Sequence, residues 1–149
     1  MNIRKYSKSD YNQLLEIYSM SKLDELKYES TNFELLSLDK DEIRLAQIYE
    51  SDIYVYGTKY AVGFCAYSGS EIRALFVHPN YRGKGIGVSL LEFMLSNIIG
   101  TATLYVAASN HPAIKLYQKY GFKIISEFKT TYNRKAVLAN KMEQLPVYG

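Results

Sequence analysis

The sequence predicts one α/β domain, and three features carry that prediction. Residues Ile72 to Val77 form an apolar strand pattern that runs through a glycine-rich turn, Arg82-Gly83-Lys84-Gly85-Ile86-Gly87, into a helix pattern from Val88 to Ile99. A second strand pattern, Thr103 to Ala107, runs through Ser109-Asn110-His111-Pro112 into a second helix ending at Gly121. No linker, repeat or low-complexity stretch interrupts the chain, so one domain is expected over residues 1–149.

Each element has its own signal. Ile3 to Tyr6 reads as a short first strand. Asp10 suits the cap of a helix whose apolar stripe is Tyr11, Leu14, Leu15 and Tyr18. A second helix is expected within Asn32 to Tyr49, from the looser set Leu36, Ile43, Ala46 and Ile48. Ile53–Tyr56 and Tyr60–Tyr67 are strands, joined by Gly57-Thr58-Lys59 as a tight hairpin.

Glu71 to Val77 follows. Ile72, Ala74 and Phe76 are expected on one face, Leu75 and Val77 on the other, as in a central strand covered on both sides. Ile86, Leu90, Leu91, Met94, Leu95 and Ile98 form the inward stripe of the next helix, and Gly100 suits its stop. After Thr103–Ala107, Pro112 favours a first helical turn capped by Asn110 or His111. That helix carries Ala113, Leu116, Tyr117 and Tyr120. Phe122–Ile125 and Ala136–Ala139 are the last strands, around a polar loop.

Composition excludes several classes. The N-terminus lacks the apolar core of a signal peptide, and no apolar run reaches the roughly 18 residues of a membrane span. Cytoplasm is the expected compartment. The single cysteine, Cys65, leaves no intramolecular disulfide and no multi-cysteine zinc site, and no metal is expected. Its apolar neighbours make it a packed thiol. Charge is uneven: residues 1–52 carry 7 basic and 11 acidic side chains, residues 53–149 carry 11 and 4. Two ligand surfaces of opposite character are one consequence. No nucleic-acid motif accompanies the basic part, so no nucleic-acid partner is expected.

A strand entering a glycine-rich turn that opens a helix presents free N–H groups at the positive end of the helix dipole. That is an anion site, and phosphate is its usual occupant. Two phosphate loops fail on spacing. A Walker-type loop needs Ser or Thr where Gly85 stands and glycine where His78 stands. A dinucleotide fingerprint starting at Gly83 needs a small residue at Val88 and an acidic residue about 20 positions on, where Thr101, Thr103 and Tyr105 lie.

The block Leu75-Phe76-Val77-His78-Pro79-Asn80-Tyr81-Arg82-Gly83-Lys84-Gly85-Ile86-Gly87 resembles the acetyl-CoA motif of the GNAT family of N-acetyltransferases. A second block, Asn110 to Phe122, matches that family's Asn-x-x-Ala-x-x-Leu-Tyr-x-x-x-Gly-Phe pattern at every specified position. The close resemblance covers Gly63 to Phe122; the flanks agree in element order.

The resemblance implies the acyl-CoA N-acyltransferase fold: a mixed, twisted sheet, flanked by helices and splayed at its centre between Glu71–Val77 and Thr103–Ala107. Acetyl-CoA is the implied co-substrate. Main-chain groups of Phe76 and Val77 would pair with its pantetheine arm. The N–H groups around Gly83, Lys84, Gly85, Ile86 and Gly87 would hold its pyrophosphate, with Arg82 and Lys84 adding charge. Asn110 would be both a helix cap and a cofactor-side contact.

Transfer to an amine needs three things. An amine of pKa about 10.4 must first lose a proton. The oxyanion formed on attack needs a donor, and the resemblance points to the Val77 N–H. The departing thiolate, with a conjugate acid near about 8.5, needs a proton. By motif register Tyr117 supplies it. Glu71, 11 residues before Arg82, holds the register of the catalytic glutamate in histone-type members. Members that acetylate protein N-termini have a glutamate where Tyr105 stands here, which argues against that substrate. Glu71, His78 or a bound water remain as the base.

In the resembled family the acceptor pocket is built from the first two helices and the loop before the last strand, here Tyr11–Tyr49 and Thr130–Lys135. Since the first of these is acidic, a cationic amine, small molecule or peptide, is the expected acceptor. A homodimer is compatible with the sequence. The rival reading is a CoA-binding regulatory module that kept the fold and lost catalysis.

Overall fold

The computed structural model describes residues 2–145; the outermost positions of the domain expected over 1–149, Met1 and residues 146–149, lie outside the described residues. Among the described residues, seven strands, β1 (Ile3–Lys5), β2 (Asp52–Tyr56), β3 (Gly63–Ser68), β4 (Glu71–Val77), β5 (Thr103–Ala107), β6 (Phe122–Tyr132) and β7 (Lys135–Gln144), accompany four α-helices. These are α1 (Tyr11–Ser21), α2 (Glu42–Tyr49), α3 (Ile86–Asn97) and α4 (His111–Lys119). A 3₁₀ segment, Lys22–Leu26, continues from α1. No helix among the described residues is long and apolar enough to cross a membrane.

The strands form one sheet in the order β1-β2-β3-β4-β5-β7-β6. Every pair is antiparallel except β4 and β5, which the α3 crossover makes parallel. In that pair only Glu71 and Thr103 are in register. One further bond, from Thr103 N–H to the Ser70 carbonyl at 2.9 Å, closes the end. Beyond it the strands part, and the sheet is splayed at its centre.

Two apolar layers cover the sheet. On one side Leu14, Ile17, Tyr18 and Ile48 pack on Val55, Phe64, Ala74 and Phe76. On the other, Leu90, Leu91, Met94 and Ile114 pack on Cys65, Leu104, Phe122 and Met142. Each fully buried aliphatic side chain contributes about 2 kcal/mol by area removed from water. Burial pushes the Cys65 thiol up to about 12, which suits a packing residue and not a nucleophile.

One irregularity re-aims β4. Ala66 pairs with Ala74 but Tyr67 pairs with Ile72, so Arg73 is an extra residue, a β-bulge. Ile72, expected beside Ala74 and Phe76, is turned to the opposite layer and packs with Tyr67. The Arg73 carbonyl accepts from Arg44 Nη2.

Three other expectations are corrected. Asp10 makes no side-chain cap to α1. Its buried carboxylate instead accepts from Arg4 at 2.8 and 2.7 Å and from the Ser7 N–H at 3.0 Å, pinning β1 to the start of α1. Tyr56 pairs with Gly63, so residues 57–62 make a longer connection than the expected tight turn. Arg4 Nε holds it by donating to the Gly57 carbonyl at 3.0 Å. The expected polar loop before the last strand is mostly strand. β6 continues to Tyr132, and Asn133 and Arg134 (φ 47° and 69°) form a two-residue turn. β6 is an edge strand exposed along most of its length, so it shows no apolar alternation to read.

Candidate active site

The glycine turn is shaped by backbone conformation. Gly83 and Gly85 both have φ 78°, a left-handed region that residues with a Cβ rarely adopt. A Cβ at either position would meet nothing within 4 Å, so crowding is not the reason. Gly85 stands at the N-cap of α3, and no side chain bonds to that end. The first N–H groups of this 12-residue helix are therefore offered to a ligand.

From this turn a groove of about 520 Å³ runs between β4 and α4. Gly83, Gly85, Ile86 and Gly87 line one end, and Val77, Leu116 and Tyr117 line the rest. The phase of β4 decides which of its main-chain groups face this space. His78 N–H bonds the Val62 carbonyl at 2.8 Å, so by alternation the N–H and C=O of Phe76 are bonded to β3. Those of Leu75 and Val77 face the splayed side. The Ser21 hydroxyl donates to the Val77 carbonyl there at 3.0 Å, in agreement with that phase. The free strand edge thus belongs to Leu75 and Val77, and the expected main-chain role of Phe76 is corrected. Phe76 is still among the residues that line the groove.

A second cavity of about 990 Å³ lies between α1, α2, the diverging strands and the β6–β7 turn. Glu25, Leu75, Phe76, Asn110, Ala113 and Tyr117 line both cavities, so the two meet at these residues. Tyr117 is half-buried on α4, with its ring edge-on to Phe122 at 5.7 Å. Burial pushes its hydroxyl above the ordinary tyrosine range, and the nearby Glu25 carboxylate adds to the rise. The group is therefore protonated at neutral pH. Glu25, on the 3₁₀ segment after α1, is the one carboxylate among the described residues that lines both cavities. It accepts from Lys22 at 2.8 Å. The sequence reading missed it because this segment has no helical periodicity.

Other expected residues lie elsewhere. Glu71 sits at the closed end of the splay, lines neither cavity, and accepts from Arg73 Nε at 2.7 Å. The bulge next to it swings Arg73 onto it. His78 also lines neither cavity; its Nδ1 accepts from the Asn80 N–H at 3.1 Å. Arg82 lines the groove but is paired with Asp24. Lys84 does not line the groove, its Nζ standing 5.4 Å from the ring centre of Tyr81, which does; Lys27 also lines it. Asn110 stands at the N-cap of α4 without a side-chain cap bond, leaving its amide to the junction.

The larger cavity is not acidic. Its charged lining is Lys22, Lys40, Arg44, Arg73 and Arg134 against Glu25 and Asp41. The remaining acidic residues of the first third, such as Asp10 and Glu16, lie outside it. The expectation of an acidic acceptor pocket is corrected on that ground.

The sequence profile of the acetyltransferase (GNAT) domain matches residues 47–124, more than half of the chain. The chain belongs to the GNAT acetyltransferase family. Among GNAT relatives, the peptidyl-lysine N-acetyltransferase YjaB of Escherichia coli is 41% identical over 63 residues, 42% of each chain. Its apo-form solution structure superposes with a TM-score of 0.70 at 24% identity, covering 97% of both chains. The human cysteine-rich protein 2-binding protein is 36% identical over 87 residues, 58% of this chain. The matched segment spans 11% of that relative's length. The structure of yncA from Salmonella typhimurium with its cofactor acetyl-CoA shares the fold, with a TM-score of 0.66 at 18% identity over 98% of this chain and 94% of its own.

Proposed function

We propose that this GNAT domain, spanning residues 1–149, transfers the acetyl group of acetyl-CoA directly to a primary amine within a ternary complex. The observation that carries this reading is the meeting of two cavities at Tyr117, one of them opening from the uncapped N-terminus of α3. The smaller groove fits acetyl-CoA. Free N–H groups at Gly83 to Gly87 suit the pyrophosphate, and the open edge of Leu75 and Val77 suits an extended amide chain. Acetyl-CoA supplies the activated acyl group. YjaB's activity on peptidyl-lysine and yncA's acetyl-CoA complex agree with an amine acceptor and this co-substrate. The cytoplasm, where acetyl-CoA is available, is the matching compartment.

The chain's own groups divide the work. Glu25 accepts the proton that the ammonium must lose, in the role the sequence suggested for Glu71. The amine nitrogen then forms its bond to the acyl carbon. The Val77 N–H stabilises the negative charge that develops on the acyl oxygen. As the carbon–sulfur bond breaks, the electron pair leaves with sulfur, and Tyr117 donates its proton there. The second amine proton passes to solvent, Tyr117 regains its proton from solvent, and Glu25 releases the proton it took, so one proton is set free per acetyl group transferred.

Release of free CoA thiol over a panel of primary amines tests the reading. Thiol release with formation of the acetylated amine, at least tenfold slower in Tyr117→Phe, is expected. Tight acetyl-CoA binding without transfer to any amine would instead favour the regulatory module.

A further inference from the structure

We propose that the acceptor bears a carboxylate close to its amine, seated by Tyr18 and Arg44, so that the substrate class is a small amino acid. This rests on the acetyl-transfer reading above.

Tyr18 on α1 is fully buried, 0% exposed, and its hydroxyl has no hydrogen-bond partner. The Nε of Arg44 on α2 is also buried and without a partner. Both residues line the larger cavity. They are neighbours: burial pushes the Tyr18 hydroxyl above its ordinary range, and the Arg44 guanidinium opposes that rise. Arg44 spends its other nitrogens on neutral oxygens, Gln47 Oε1 at 3.4 Å and the Arg73 carbonyl. Among the described residues it makes no ion pair.

Donor counting selects the ligand. A guanidinium has no acceptor, and Tyr18 can accept from Arg44 only by leaving its own O–H over. The pair therefore carries more donors than acceptors, together with a positive charge that no ion pair holds. An unmatched buried donor costs stability, and the half-buried Arg44 guanidinium, without an ion pair, leaves a positive charge on the cavity wall. An ionised carboxylate, acceptor-only and negative, completes both groups, and guanidinium geometry suits it. A neutral carbonyl would satisfy the donors but leave the charge.

The other charges facing this place are mostly positive. Lys22 Nζ stands 5.9 Å over the Tyr18 ring but is paired with Glu25, and Arg73 is paired with Glu71 and Glu50. Lys40 and Arg134 also line the cavity. The Asp41 carboxylate opposes an anion, yet it is committed to the Arg44 N–H at 3.2 Å as the cap of α2. The Tyr18 ring packs on Phe76 at 5.2 Å, and Phe76 lines the junction with the cofactor groove. The carboxylate seat thus adjoins the junction through Phe76, which favours an acceptor whose carboxylate lies close to its amine.

The test measures kcat/KM for the proteinogenic L-amino acids, each against its own α-carboxamide, and for a lysine residue within a short neutral peptide. At least one amino acid is expected to exceed its amide tenfold or more. In Arg44→Gln and Tyr18→Phe that ratio falls toward 1. Acetyl-CoA binding by each variant, read by calorimetry, establishes that it is folded. Equal turnover of acid and amide, or preference for the peptide lysine, overturns the proposal. If no amine is acetylated, calorimetry of the N-acetyl amino acids and N-acetyl amino amides with the CoA-loaded protein decides it. Tighter binding of the acids, lost in Arg44→Gln, leaves the subsite standing while the proposed catalysis falls. Equal or absent binding removes both.

Discussion

The guanidinium of Arg82 is paired with the carboxylate of Asp24 across the mouth of the cofactor groove. The glycine turn is thereby tied to the 3₁₀ segment after α1, and in the proposed binding mode a pyrophosphate would compete with Asp24 for the same cation. Exposed pairs of this kind contribute about 0.2–1 kcal/mol. Asp24→Asn is expected to tighten acetyl-CoA binding about two- to fivefold at low salt, with the difference shrinking in about 0.5 M salt. Calorimetry at both ionic strengths checks this; weaker binding would mean that Asp24 itself contacts the ligand.

Tyr117→Phe is expected to lower kcat about 10²-fold, the usual contribution of a positioned acid, with little change in acetyl-CoA affinity. Because burial raises the hydroxyl above its ordinary value of about 10, the wild type shows no alkaline loss of kcat from this group below about pH 10. A pH–rate profile with that limb near neutrality would assign the acid elsewhere.

The two candidate carboxylates separate cleanly. Glu25→Gln is expected to reduce kcat by at least about tenfold. Glu71→Gln changes it by less than about twofold, while removing the Arg73 ion pair costs about 0.5–1 kcal/mol of stability. Steady-state rates and denaturant melts of both variants make the comparison. A larger loss in Glu71→Gln would return the base to the closed end of the splay.

Asp10 ties stability to pH. The hydrogen bonds from Arg4, the largest influence, hold its carboxyl below the usual aspartate range. A depressed folded value contributes stability that is present above the unfolded value of about 3.9 and lost as pH falls through the folded one. Asp10→Asn is expected to cost about 2 kcal/mol at pH 7, between the limits for exposed and buried pairs. That gap should close below about pH 4. Urea unfolding of both proteins at pH 7 and pH 3 measures it.

What could be read from the chain was local. Gly83 and Gly85 announce left-handed backbone at the mouth of α3, and Asn110, Pro112 and Gly121 bracket α4, so both helices and the groove between them were legible. Properties set by pairing partners were not. The bulge at Arg73 exists only against Ala66 and Tyr67 of β3, and it decides where Glu71 points. The turn at Asn133 and Arg134 has no glycine to mark it. Arg44 and Tyr18 lie on different helices, and nothing in either helix alone shows that they converge.

The extra residue in β4 is a joint between two regularly paired half-strands. Deleting Arg73 would restore an uninterrupted ladder with β3, leave Ile72 and Glu71 on the faces that their pairing with Tyr67 and Ser68 already sets, and release Glu71 from its ion pair. The same deletion would remove the carbonyl that holds Arg44 and free Glu50. A single codon thus couples the placement of a carboxylate at one end of the cleft to that of a guanidinium in the neighbouring pocket. Acceptor range in this scaffold can change by insertion and deletion, without any substitution among the groups that contact the ligand.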